Sequence, residues 1–155
     1  MSMLAHSAAH MGIVAAANAC GVQETMDYTA IPSCIFTTPE IAAVGLTEQE
    51  CKAQNRKVVI SKFNFAGNGK AITMGETEGL VKLIADAETH KLLGCHIMGP
   101  HASDLIMEGT LAVQLGLTAE QVATTIHPHP TLSEAVDEAA LGLFGSMIHQ
   151  VTLKR

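Results

Sequence analysis

The run His127-Pro128-His129-Pro130-Thr131-Leu132-Ser133-Glu134-Ala135 sets an imidazole, His129, five residues before a carboxylate, Glu134, at what reads as the entry to a helix. Histidine is the side chain whose ordinary pKa lies near working pH. A carboxylate beside it can hold one ring nitrogen and leave the other free to take or give a proton. Pro128 and Pro130 fix their own φ and bias the preceding residues towards extended backbone, which predicts both histidines on a stiff, non-helical segment. Thr131 reads as the N-cap of a helix over Leu132 to Leu143, with Glu134 in its first turn. Thr131-x-x-Glu134 also spells a capping box, in which the glutamate reaches back to a backbone N–H. Spacing alone leaves catalysis and capping both open. A metal reading of His127-x-His129 lacks a Cys, Asp or Glu at ligand spacing, so no metal is expected.

The elements that must position this run follow from periodicity and turn residues. Leu4 to Asn18, rich in Ala and closed by Cys20-Gly21, predicts a first helix. Ser33 to Phe36 and Ala42 to Val44 are short strand candidates flanking Pro39, and Thr47-Glu48-Gln49-Glu50 is a capping box opening a helix to about Asn55. Lys57 to Phe65, Ala71 to Glu76, Leu80 to Asp86 and Leu92 to Met98 predict consecutive strands. Their connections, around Gly67-Asn68-Gly69, Thr77-Glu78-Gly79 and Glu88-Thr89-His90, are short enough for an antiparallel meander, the first reading as a hairpin turn. Ala102 to Leu115 and Ala119 to Ile126 complete the helices, the second opened by the capping-box pattern Thr118-Ala119-Glu120-Gln121. The fold class is α+β, an antiparallel sheet covered by helices.

At 155 residues the chain can bury one core. A balance of 9 basic against 15 acidic residues, net −6, argues against nucleic acid or an anionic membrane as partner. No apolar run is long enough to span a bilayer, and Met1-Ser2-Met3 lacks the basic start of a signal peptide. The four cysteines, Cys20, Cys34, Cys51 and Cys95, are far apart and read as buried free thiols of a reducing compartment, which suggests the cytoplasm. His6 and His10, at i and i+4, read as helix surface, as do His90, His101 and His149, which have no partner pattern. Met98, Met107 and Met147 are expected to fill core gaps or an interface.

The nine-residue run resembles the C-terminal active-site signature of the pyridine nucleotide-disulfide oxidoreductases, most closely in their dihydrolipoamide dehydrogenase branch. Glutathione reductase-like members carry a shorter His-Pro-Thr run, and mercuric reductases end in a Cys pair that Val151-Thr152-Leu153-Lys154-Arg155 lacks. The likeness extends along the chain. Met3-Leu4-Ala5-His6 resembles the run that closes the flavin-binding domain and touches FAD. Ile31-Pro32-Ser33 through Pro39-Glu40 to Val44-Gly45 resembles the opening of the interface, or dimerisation, domain. Gly94-Cys95-His96-Ile97-Met98-Gly99-Pro100 with Ala102-Ser103 and Glu108 is similar to its later part.

The resemblance implies His129 as the acid–base partner of a dithiol substrate, Glu134 as its orienter, and a flavin contact at Met3, Leu4, Ala5 and His6. It further implies that residues 1–20 trail from a flavin domain and that 31–150 form the dimerisation domain. A homodimer acting on dihydrolipoyl groups of 2-oxo acid dehydrogenase or glycine-cleavage complexes is expected, with FAD and NAD as cofactors of the parent enzyme. The Gly-rich phosphate loops and the Cys-x4-Cys disulfide of a complete member do not occur in the sequence. The chain therefore reads as one domain of a larger enzyme, with no cofactor expected on it alone. The alternative is a dimerisation module without turnover, from another disulfide oxidoreductase of the same family.

Overall fold

The computed structural model describes residues 3–150. One antiparallel sheet of five strands, in the order β1-β2-β5-β4-β3, organises the chain. Its strands are β1 (Ser33–Ile35), β2 (Glu40–Gly45), β3 (Val58–Asn64), β4 (Leu80–Asp86) and β5 (Leu92–Gly99). The helices are α1 (Ala5–Ala19), α2 (Glu48–Ala53), α3 (Gly69–Met74), α4 (Ala102–Leu115), α5 (Ala119–Ala123) and α6 (Glu134–Gly142). The α+β architecture read from the sequence is the one observed.

Alternation along the strands sends Ala42, Val44, Phe63, Val81, Leu83, Cys95 and Ile97 to one face, where all are buried. α4 and α6 close that face with Ala102, Ile106, Ala112, Ala135, Val136, Ala139 and Ala140. α4 lies so near β5 that a Cβ on Gly109 would come within 2.6 Å of Cys95 Cβ and 2.7 Å of its sulfur. Any side chain there would push helix and sheet apart. Thr47 and Thr118 build the capping boxes expected of them at the starts of α2 and α5.

Four expectations fail, for local reasons. Ala71 to Glu76 is not a strand and Gly67-Asn68-Gly69 is not a hairpin turn. A single 3-10 turn, Phe65–Gly67, leads into α3, whose N-cap Asn68 accepts the Ala71 N–H at 2.9 Å. Gly75, at φ +73°, ends that helix in the left-handed conformation that glycine adopts without penalty. α6 starts at Glu134, behind Ser133, instead of at Leu132: the Thr131 hydroxyl donates to Pro128 O at 2.6 Å, meets the Ser133 hydroxyl at 2.8 Å and accepts no backbone N–H. α5 ends at Ala123, well before Ile126, and the Thr124 and Thr125 hydroxyls turn back to carbonyls of its last turn.

The thiols divide. Cys51 and Cys95 are buried as expected, with burial pushing the Cys95 thiol up to about 12, whereas Cys20 is exposed and Cys34 only half-buried. The three histidines read as partnerless surface are on the surface but each faces a carboxylate: His90 with Glu120, His101 with Asp104, and His149 with Glu138. No helix among the described residues is long and apolar enough to cross a membrane.

Candidate active site

His129 and Glu134 meet. His129 Nδ1 lies 2.8 Å from Glu134 Oε1, while Glu134 Oε2 accepts the Thr131 backbone N–H at 2.8 Å. Orienter and cap are thus the same carboxylate, one oxygen for each task. Only half of a capping box is present, since the Thr131 hydroxyl accepts no backbone N–H of the first turn. Partial burial opposes ionisation of Glu134, but the Thr131 N–H and the His129 ring outweigh it and hold the carboxyl below its usual pKa. Because a carboxylate only accepts, His129 Nδ1 carries the proton and Nε2 presents its lone pair, on a side chain 77% exposed.

His127 is arranged differently. Nδ1 faces the Thr125 carbonyl oxygen at 2.8 Å and Nε2 faces Glu108 Oε1 at 2.8 Å, on a side chain only 6% exposed. Both nitrogens meet acceptors, so both must carry protons. The hydrogen bond that the ring donates to Glu108 outweighs burial and lifts the His127 pKa to about 9. An imidazolium with both N–H groups engaged has no lone pair to offer. Of the two histidines in the run, only His129 can accept a proton.

Glu138 lies one turn beyond Glu134 on α6 and is buried. It accepts the Ile148 and His149 backbone N–H groups at 2.9 and 3.2 Å through Oε2, and pairs through Oε1 with His149 Nδ1 at 2.6 Å. A cavity of about 170 Å3 has Phe63 and Ile72 on its apolar side and His129, Glu134, Glu138 and His149 on its polar side. The roles of Glu108 and Glu138 were not readable from spacing, since their partners lie 19 and 11 residues away on other segments.

At the other end of the chain Met3 is fully exposed, Leu4 is the N-cap of α1, and Ala5 and His6 begin the helix. That N-terminus has no side-chain cap and no acidic residue in its first turn. His6 is tied to the domain by Nε2 at 2.7 Å from Pro32 O. Among the described residues no group of three or more His, Cys, Asp or Glu could hold a metal ion.

Residues 31–140 match the family profile described as pyridine nucleotide-disulphide oxidoreductase, dimerisation domain. The chain belongs to that family. It is 50% identical over 147 residues to the dihydrolipoyl dehydrogenase of Bacillus subtilis, covering 94% of this chain and 31% of that protein. The enzyme of the same name from Halobacterium salinarum is 48% identical over 153 residues, covering 99% and 32%. Among solved structures, LpdA from Mycobacterium tuberculosis superposes with a TM-score of 0.86 at 30% identity, over 92% of this chain and 31% of that one. The HOCl-induced flavoprotein disulfide reductase RclA from Escherichia coli, at 22% identity and a TM-score of 0.78 over 83% and 30%, shares the fold. The chain thus spans about a third of the length of the curated relatives it matches. Its family membership is that of an oxidoreductase dimerisation domain.

Proposed function

We propose that this chain supplies the dimer interface and half of the active site of a dihydrolipoyl dehydrogenase, with His129 as the acid–base residue and Glu134 as its orienter. The observation that carries this reading is the 2.8 Å bond between His129 Nδ1 and Glu134 Oε1, which leaves Nε2 as an exposed lone pair. In the proposed step Nε2 takes the proton of a dihydrolipoyl thiol. The thiolate so formed attacks a protein disulfide belonging to the partner subunit, and Glu134 stabilises the imidazolium. The doubly engaged ring of His127 leaves it a packing and positioning role.

In the parent enzyme FAD and NAD would carry the two electrons away from the reduced disulfide. Met3, Leu4, Ala5 and His6 are proposed to line one edge of the flavin site, and the uncapped N-terminus of α1 fits an electron-rich ligand there. Residues 1–20 then belong to the flavin domain and 31–150 to the dimerisation domain. Isolated, the chain is a dimerisation module that holds neither cofactor and does not turn over. The parent is proposed to be a cytoplasmic homodimer serving dihydrolipoyl groups of a 2-oxo acid dehydrogenase or glycine-cleavage complex.

The test uses the full-length enzyme carrying this segment. His129→Gln is expected to slow reduction by dihydrolipoamide about 100-fold or more, the scale on which positioned acid–base groups act. Glu134→Gln should do less, because an amide oxygen still accepts the Thr131 N–H while the charge is lost. If His127→Gln slowed the same half-reaction as much as His129→Gln, the assignment would be wrong.

A further inference from the structure

The His129–Glu134 arrangement occurs twice. In each pair Nδ1 of an imidazole rests on a carboxylate of α6, at 2.8 Å for His129–Glu134 and 2.6 Å for His149–Glu138. The two carboxylates stand four residues apart, so they share one face of the helix. Each ring uses Nδ1 as donor, and for neither does Nε2 have a hydrogen bond among the described residues. Both side chains are mostly exposed, His149 at 64%, and both line the same cavity of about 170 Å3. That space has room for several water-sized groups. It suits the head of a small aliphatic dithiol lying on Phe63 and Ile72.

The tail that carries His149 is held in place. Glu138 takes two backbone N–H groups as well as the ring, and Gln150 Oε1 accepts the Asn64 N–H at 2.7 Å. The 149 carbonyl lies so close over the 3-10 turn that a Cβ on Gly67 would sit 2.9 Å from it. A buried carboxylate on α6, whose other partners are in the core, is a stiff support for an imidazole on a turn.

We infer that His149, oriented by Glu138, is a second acid–base residue of the dithiol site and accepts the proton of the second thiol. This deepens the proposed function and rests on its reading of His129. Two thiols give up two protons in this half-reaction, and two imidazoles on one cavity can take one each. The first thiol gives its proton to His129 Nε2, and its sulfur attacks the partner's disulfide, breaking that S–S bond and releasing one cysteine thiolate. The second thiol gives its proton to His149 Nε2 and attacks the substrate sulfur of the mixed disulfide. The substrate S–S bond forms and the second cysteine leaves as thiolate. The substrate is oxidised by two electrons, the protein disulfide is reduced by two, and two protons rest on two imidazoles. The titratable neighbours of the second pair are Glu134 and His129 across the cavity and Asp137 on α6.

The test is the pH profile of the dithiol half-reaction in the full-length enzyme, read by stopped flow with dihydrolipoamide. His149→Asn keeps an amide N–H where Nδ1 lies, and so keeps the clasp on Glu138, but removes Nε2. His149→Gln is the second variant. Both are expected to slow the half-reaction about tenfold and remove one ionisation from its pH profile, with the NADH half-reaction and the dimer unaffected. Unchanged rate and profile in both would overturn the inference while leaving His129 untouched, provided His129→Gln remains slow. Equal slowing of the NADH half-reaction would also overturn it, because the tail would then be structural. A fast His129→Gln would instead sink the underlying reading.

Discussion

Replacing Glu108 with Gln removes the charge that holds His127 as an imidazolium while keeping a side chain of the same shape. In the folded chain His127 is lifted from 6.5 to about 9, which corresponds to an upper limit of about 3 kcal/mol. The sign follows from a folded pKa above the unfolded one. The stabilisation is fully present below pH 6.5 and is lost as pH rises through 9. At pH 7 about 2.5 kcal/mol of it remains. Urea unfolding of this chain at pH 6, 7 and 9.5 should show stability falling across the range by about 2–3 kcal/mol more than in Glu108→Gln. The variant should be the less stable protein at pH 6 and converge on the parent sequence at high pH. A variant whose pH dependence paralleled that of the unaltered chain would refute the claim that this pair is coupled, whatever its absolute stability.

Three further outcomes follow. Asn68→Ala removes the cap of α3 and the 3.0 Å bond to Thr131 O, and should cost about 1–3 kcal/mol in urea unfolding, with no change if the cap is incidental. Met107, Leu111 and Leu115 form an exposed stripe at i, i+4 and i+8 on α4, whereas Leu132, Ala135, Val136, Ala139 and Ala140 are spent on the chain's own sheet. The stripe on α4 is therefore the self-association surface to test. Leu111→Glu should shift sedimentation of the full-length enzyme from dimer towards monomer, and an unchanged dimer would exclude that face. Titration of the isolated chain with FAD, followed by flavin fluorescence, should show no saturable binding in the micromolar range. Near-stoichiometric binding would overturn the view that residues 3–6 supply one edge only.

What was legible in the sequence was whatever depends on near neighbours. β4, β5 and α4 are long, strongly patterned and bounded by turn residues, and their observed limits agree with the pattern. Thr47 and Thr118 declared their capping boxes at a separation of three residues. Ala71-Ile72-Thr73-Met74 fits a strand and a short helix equally well. What resolves it is Asn68, whose amide both caps α3 and donates to Thr131, 63 residues on. Likewise spacing pairs His129 with Glu134 but does not say which ring keeps a nitrogen without an acceptor, since each histidine precedes a proline in the same way. Glu108, on α4, separates them by engaging the second nitrogen of His127.

Capping and the orienting of His129, alternatives on paper, share one residue because α6 is built as a two-sided support. Its small residues, Ala135, Ala139 and Ala140, bring the helix down onto the sheet, where they are fully buried. Its other side presents Glu134, Asp137 and Glu138, the first two in its first turn, where the helix dipole favours carboxylates. Each of the three faces a histidine. Glu134 and Glu138 bond His129 and His149, and the charge on His127 offsets part of the burial that raises Asp137, whose Oδ1 has no hydrogen-bond partner among the described residues. Lifting α6 by the two methyls that a valine adds on its packed face would displace two His–Glu pairs together. Ala139→Val should therefore disturb the dithiol chemistry of the full-length enzyme more than its moderate cost in stability, about 1–3 kcal/mol for overpacking, would suggest. A variant that lost that stability but retained its dithiol half-reaction rate would show that the pairs are positioned by their loops and not by the helix.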